Sequence, residues 1–207
     1  YIKKIINNNC YFFYMEKEQY IWCIRHGTAL HNVLYDKIGV EAYNSPKYTD
    51  THLVDKGQDE SINLGLSWNE KSNIDIVFVS PLTRTIQTAN NIFKDANVKM
   101  IAIDDILEYP QGIEYCNKRK KKSELEKLYP KIDFSLIPED STYWKDDETL
   151  DELKKRSDKF KYFLKNREEK NICIVSHSTF LKEFLLGNVG NIEEELKHCF
   201  PYLFNIF

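Results

Sequence analysis

No stretch of the chain approaches the ~18–20 consecutive apolar residues of a membrane helix, and the aromatic stretch Tyr11–Tyr14 is too short for a signal-peptide core. Both absences point to a soluble protein. Cysteine is sparse and unpatterned: there are five, an odd number, with no Cys-x-x-Cys spacing. Cys23 and Cys173 lie inside apolar runs where a thiol packs as a small hydrophobe, so a reducing, cytoplasmic setting is expected rather than a disulfide framework. Charge of one sign is lacking as well. A net charge of −3 gives no global reason to bind nucleic acid or an anionic membrane, although basic residues collect at Lys118–Lys122. There is no internal repeat and no low-complexity linker. The expected partner is a small molecule.

The 207 residues fit one domain, roughly 100–200 residues being the usual allotment. Met15 precedes the charged lead-in to the first strand, so residues 1–14 read as upstream translation or a fragment edge, and residues 1–19 as an N-terminal extension. The domain is expected over residues 20–207. Phe200–Phe207, mostly aromatic and aliphatic, reads as a buried strand or a truncated element.

Short β-branched runs at Tyr20–Ile24, Ile74–Val79, Lys99–Ile103 and Asn171–Val175 predict strands buried on both faces. Helical patterns fall between them. Asp55 with Gln58 reads as a capping box opening a helix through Ile62 and Leu66. Ser80-Pro81 reads as an N-cap and first helical position, after which Leu82, Ile86, Ala89 and Phe93 share a face. Thr149 with Glu152 predicts another capping box, ahead of a stripe of Leu150, Leu153, Phe160 and Phe163. Ser178 is expected to cap a last helix that Gly187 ends. Strands alternating with helices predict an α/β fold: a three-layer αβα sandwich around a mostly parallel sheet. Residues 109–148, rich in charge, proline and aromatics, read as an insertion or cap over the site.

In such sheets ligands gather beyond the carboxyl ends of the strands, where His26, Arg84 and His177 are all expected. A neutral imidazole can attack phosphorus, and guanidinium groups match phosphate oxygens, so His26 beside Arg25 and Arg84 suits phosphoryl transfer through a phosphohistidine. Arg84 in the first turn of a helix would add the free N–H groups of that terminus. A metal reading of His26, His31 and His177 fails on spacing, which matches no common zinc pattern, and on the adjacent arginine, which would repel a cation. No cofactor is called for.

The leaving oxygen needs a proton, and Asp104, Asp105, Glu108 and Glu114 all follow the third strand within reach of the strand ends. Spacing does not choose among them. Each pick also has a plain reading: a histidine at a strand end can be structural, Arg84 can pair with a surface carboxylate, Glu108 can be a solvated loop acid, and the lysine run can be a solvated face. His31, His52 and His198 read as structural.

Arg25-His-Gly-Thr-Ala-Leu-His-Asn32 resembles the signature of the histidine phosphatase superfamily, the phosphoglycerate mutase-like proteins. Ser80-Pro-Leu-Thr-Arg-Thr-Ile-Gln-Thr-Ala89 resembles the second motif of that family, and Ser176-His177 the third, with Ser178 where many members have glycine. The segments Ala42-Tyr43, Pro46-Lys-Tyr48, Asp50 to Leu53 with Gly57, Leu107-Glu108, Gly112, Cys116-Asn-Lys-Arg119, Ser123-Glu-Leu125 and Asp133-Phe-Ser135 are similar to a small fungal and plant subgroup. The likeness spans about residues 20–190. It implies that His26 is phosphorylated, that Arg25, Arg84 and His177 cradle the phosphoryl group, and that Glu108 is the proton donor. It further implies Asn32 near the phosphate and Arg119 as a substrate contact in the cap.

Two departures stand out. Asn117 replaces the usual aspartate, which implies altered substrate choice, and an apolar Phe200–Phe207 replaces a polar final strand, which implies an incomplete sheet edge. The expected activity is metal-independent phosphomonoester hydrolysis through a phosphohistidine. The alternatives are mutase-type return of the phosphate to a different oxygen, and a non-catalytic module that holds phosphorylated ligands.

Overall fold

Runs of Val, Ile and Phe too short for helices become central strands when helices cover both faces. A computed structural model describes residues 2–7, 10–15, 18–140, 147–187, 189 and 196–206, with 2–7, 10–15 and 206 as backbone alone. Strands β1 (Ile2–Asn7) and β2 (Cys10–Met15) pair antiparallel as a separate two-stranded sheet. The principal sheet holds β3 (Gln19–Arg25), β4 (Ile76–Val79), β5 (Lys99–Ala102), β6 (Ile132–Asp133), β7 (Asn171–Ser176) and β8 (Pro201–Ile206). Their spatial order is β6-β5-β4-β7-β3-β8, all parallel except β8, which runs antiparallel to β3.

The four expected strands are all present, each within two residues of its expected bounds. Alternate residues of each strand feed two cores. Ile24, Val77, Val79, Ala102, Cys173 and Val175 join the core that includes Leu64 of helix α3 (Asp55–Ser67) and Ile86 and Ala89 of α4 (Thr83–Ile92). Ile21, Cys23, Phe78, Ile101, Ile172 and Ile174 join the core that includes Phe160 of α6 (Leu150–Lys165) and Phe180 and Phe184 of α7 (Ser178–Leu186). This gives the three α/β/α layers. Helices α1 (Leu30–Ile38), α2 (Glu41–Asn44) and α5 (Lys122–Leu128), and the short strand β6, were not among the expected elements. Residues 109–140 thus contribute an edge strand to the sheet, while 141–146 lie outside the described residues.

Local signals fare unevenly. The Thr149–Glu152 capping box is present, with Thr149 N–H donating to Glu152 Oε2 at 2.8 Å and Glu152 N–H to Thr149 Oγ1 at 3.3 Å. Gly187 ends α7 in the left-handed conformation at φ 65°. The other expected caps are displaced. Asp55 and Ser178 are the first residues of their helices rather than caps, and α4 begins at Thr83 after Leu82, leaving Ser80 free for a different task. Ile62 and Leu66 of α3 are exposed, and the helix buries Gly57, Ser61, Leu64 and Gly65 instead. The final stretch forms an edge strand in register with β3 from Pro201 to Ile206; it is half-exposed rather than buried, and it closes the edge that the apolar departure was expected to leave incomplete.

Cys23, Cys116, Cys173 and Cys199 are free thiols; burial pushes Cys116 and Cys199 up to about 12 and Cys23 and Cys173 higher still. Phe160 is fully buried, its ring centroid 5.8 Å from Phe78 and 5.9 Å from Phe184. Phe160→Ala is expected to cost about 3–5 kcal/mol, read as a lowered urea midpoint at unchanged slope.

Candidate active site

Strands β4, β7 and β3 are adjacent, and their registers align Val79 with Val175 and Arg25 with Ser176. The residues that follow them, Ser80, His177 and His26, therefore emerge side by side. The His26 and His177 ring centroids are 5.2 Å apart. His26 Nδ1–H donates to the Gly27 carbonyl at 2.7 Å, which fixes the tautomer and leaves the lone pair on Nε2. Arg84, in the first turn of α4, points its Nε–H at that nitrogen from 3.3 Å.

Arg84 is completely buried, and its other contacts are neutral: Nη1 donates to the Cys116 carbonyl at 2.7 Å and Nη2 to Asn117 Oδ1 at 2.8 Å. No carboxylate among the described residues forms an ion pair with it. A buried cation with only neutral acceptors beside a free imidazole lone pair is a site short of an anion. The two helix N-termini at the site do not fill that need. Asp50 Oδ1 accepts the Thr83 N–H at 2.7 Å, occupying the start of α4, and Glu108 accepts the Thr179 and Phe180 N–H groups at 3.4 and 3.1 Å, occupying the start of α7.

A cavity of about 320 Å³ opens over His26, lined by Arg25, His31, Asn32, Tyr43, Glu108, Tyr109, Glu114, Asn117 and Ser178 among others. Arg84 and His177 are fully buried and border the cavity beside His26, though neither is among its lining residues. Ser80 Oγ is 2.7 Å from His177 Nε2, while His177 Nδ1 and Ser178 Oγ are buried without hydrogen-bond partners among the described residues. Asn32 Oδ1 accepts the Ala29 N–H at 3.0 Å. Arg25 Nη1 donates to the Leu196 carbonyl at 2.7 Å.

The four candidate acids separate. Asp104 is held by Arg119 through Nε at 2.9 Å and Nη2 at 3.1 Å, Asp105 accepts from Lys159 Nζ at 2.9 Å, and neither lines the cavity. Glu108 and Glu114 do. The same contacts correct the expectation for Arg119. Its guanidinium also donates to the carbonyls of Lys120 and Pro138 at 2.9 and 2.8 Å, and Arg119 is not among the residues that line the cavity. In the lysine run, Lys120 Nζ bonds Asp50 Oδ2 at 2.7 Å.

Two further histidines border the site. His198 Nδ1–H donates to the His26 carbonyl at 2.6 Å, and His31, on the cavity wall, lies 2.6 Å from Thr51 Oγ1. Both were read as structural. Buried Arg156 donates to the carbonyls of Asp105 and Leu107 at 3.1 and 2.6 Å and pairs bidentately with Glu148 at 2.7 and 3.0 Å, bracing the turn that presents Glu108. An arginine between Leu153 and Phe160 on the apolar stripe of α6 was the available signal for it. Gly27 and Gly57 meet backbone to backbone: a Cβ on Gly57 would lie 2.1 Å from the Thr28 carbonyl oxygen.

Among the described residues no three His, Cys, Asp or Glu side chains converge to hold a metal ion, and no helix is long and apolar enough to cross a membrane. The family model of the histidine phosphatase superfamily (branch 1) matches residues 21–200. The chain belongs to this superfamily. Phosphoglycerate mutase-like protein 1 of Arabidopsis thaliana is 32% identical over 194 residues, covering 78% of this chain and 68% of that protein. A protein described as a probable phosphatase in Schizosaccharomyces pombe is 25% identical over 173 residues, covering 79% of this chain and 76% of that one. The fold of this histidine phosphatase superfamily member is shared with the alpha-ribazole phosphatase of Shigella flexneri (TM-score 0.62, 21% identity, 89% of each chain). It is shared also with an ecdysone phosphate phosphatase of Bombix mori (TM-score 0.63, 16% identity, 89% of this chain and 88% of that one).

His26, His31 and His177 are all held well below the usual histidine range, first by burial and then by the charge of Arg84. An unfolded chain protonates these rings below about pH 6.5 while the folded one does not, so stability falls as pH drops through that value. The expected slope is roughly 1.4 kcal/mol per pH unit for each ring. Glu114, pushed up to about 7, opposes one of the three, because its folded carboxyl binds a proton that the unfolded one has released. Urea midpoints measured from pH 7.5 to 5 should therefore decline.

Proposed function

We propose that this protein is a phosphomonoester hydrolase that works through a phosphohistidine and needs no metal. The observation carrying this reading is the His26 Nε2 lone pair, set by the Gly27 carbonyl and flanked by a buried Arg84 that has no anionic partner among the described residues. A phosphate dianion supplies that anion. Its arrival turns Arg84 Nε–H from the ring nitrogen to a phosphoryl oxygen and frees Nε2 for in-line attack.

Arg25, Arg84 and His177 neutralise the charge spread over the phosphoryl oxygens, where most of the catalysis of such a loose transition state lies. If Ser80 O–H donates to His177 Nε2, His177 Nδ1–H is the donor left for one of those oxygens. Asn32, on the cavity wall, contributes a further amide. Glu108, aimed by the first amides of α7 and braced through Arg156, protonates the departing oxygen and then takes a proton from the water that cleaves the phosphohistidine. Residues 109–117 wall the cavity and set which phosphate esters enter, a role consistent with the differing substrates in the names of its structural relatives.

Rapid-quench of the purified protein with a phosphate ester is expected to trap an acid-labile phosphoenzyme, to release phosphate in the presence of a chelator, and to do neither in His26→Ala. Ligand binding without phosphoenzyme would favour a binding module, and efficient isomerisation of 3-phosphoglycerate a mutase. Arg84→Ala should lower kcat by about 10²–10³, measured at saturating ester.

A further inference from the structure

The two carboxyls on the cavity wall sit in opposite surroundings. Glu108 accepts three backbone N–H bonds, from Tyr109 at 2.8 Å, Phe180 at 3.1 Å and Thr179 at 3.4 Å, which is a cradle for a carboxylate. Glu114 has no such cradle. Its one close donor is Asn117 Nδ2 at 2.8 Å, with the Cys116 thiol 3.9 Å from the same oxygen.

The orientation of Asn117 is set on both sides: Oδ1 accepts from Arg84 Nη2, and Nδ2 also donates to the Pro110 carbonyl at 3.1 Å. An aspartate here would answer the arginine with a charge and offer Glu114 no donor. Asn117 instead leaves Arg84 uncompensated for substrate and ties Glu114 to it through one amide.

We propose, building on the phosphohistidine reading, that Glu108 and Glu114 share a single proton, which rests on Glu114 and passes through Glu108 to the leaving oxygen. Glu114 is a positioning residue for the proton, and Glu108 is the group that meets the reacting atoms. Glu114 first hands its proton to Glu108; as the P–O bond breaks, its electron pair stays on the leaving oxygen, which takes that proton from Glu108 and leaves both carboxyls ionised. In the second half Glu108 takes a proton from water as the water oxygen bonds phosphorus. The P–N pair returns to His26 Nε2, and the proton goes back to Glu114.

Burial and the charge of Glu108 push Glu114 up to about 7, against the opposing pull of Arg84 and Asn117. The charged and titratable groups around Glu114 are Glu108 on the turn after β5, Arg84 on α4 and Cys116 on its own turn. Across the cavity stand Arg25, His26, His31 and Tyr43. Glu114 therefore keeps its proton to a higher pH than an exposed carboxyl would.

The test is the pH dependence of kcat/KM for an alkyl phosphate and for p-nitrophenyl phosphate, whose leaving group needs little help. The unsubstituted protein is expected to lose alkyl phosphatase activity as pH rises through about 7, the value that burial and Glu108 give Glu114. In Glu114→Gln that limb moves to lower pH. At pH 7.5 the variant loses at least about tenfold on the alkyl ester, the lower end of general-acid effects being larger still, and clearly less on the nitrophenyl ester. Glu114→Asp restores part of the limb.

A limb unmoved in Glu114→Gln overturns the shared proton. Should that variant fail to fold, infrared difference spectra of the unsubstituted protein decide: a protonated carboxyl band lost between pH 6 and 8 supports the proposal, and its absence overturns it. Phosphoenzyme trapped from the unsubstituted protein, with an unmoved limb, sinks the shared proton alone. No phosphoenzyme at all sinks the reading beneath it.

Discussion

A guanidinium removed from water, with no paired carboxylate among the described residues, is the constraint around which this site is organised. Arg84 satisfies its N–H groups on a carbonyl, an amide oxygen and an imidazole nitrogen, none of which cancels its charge. Burying a cation in this way is costly unless something negative arrives. The rest of the local architecture preserves that shortage. Asp50, which could have neutralised Arg84, is turned toward Thr83 and Lys120 instead. At position 117 an amide rather than a carboxylate faces Arg84. Burial first, and then the positive charge of Arg84, keep three neighbouring rings uncharged, which leaves the His26 Nε2 lone pair unprotonated.

Around this centre the buried ion pairs act on the backbone more than on each other. Arg156 and Glu148 tie α6 to the turn at 105–111, and Arg119 and Asp104 tie the same turn to residues 138–140. Breaking either pair strands a charge in the interior, which makes such clamps poor sites for drift and good ones for holding a carboxyl where a reaction needs it. On the cavity wall Tyr43 packs edge-on against His31 and stacks on Tyr35.

Much of this was legible in the residues, for physical reasons that differ by element. The strands were visible because their two-sided burial demands uninterrupted apolar runs, as Ile76–Val79 shows. His26 and His177 were visible because they follow apolar strands, and Arg84 because recognisable neighbours surround it at the start of α4. Helix starts were less so: Ser80 has the right chemistry for a cap, yet its hydroxyl is spent on His177, and tertiary demand overrode the local rule. Arg119 misled because its motif position said nothing of the carboxylate waiting for it at Asp104. Helices α2 and α5 are too short to display a period, and β6 is two residues long. The division of the acids required geometry, since four carboxyls within eleven residues differ only in what surrounds them once folded.

The buried thiols carry a last consequence. Where hydrolysis of a phosphate ester is run on sulfur, a low-pKa thiolate lies open to the cavity, and hydrogen peroxide silences it by forming a sulfenic acid. Cys116, whose carbonyl holds Arg84, shows only 1% of its surface, and burial keeps it protonated. On the proposed reading the attacking group is a ring nitrogen, and the one thiol on the cavity wall among the described residues, Cys116, is buried and protonated rather than a thiolate.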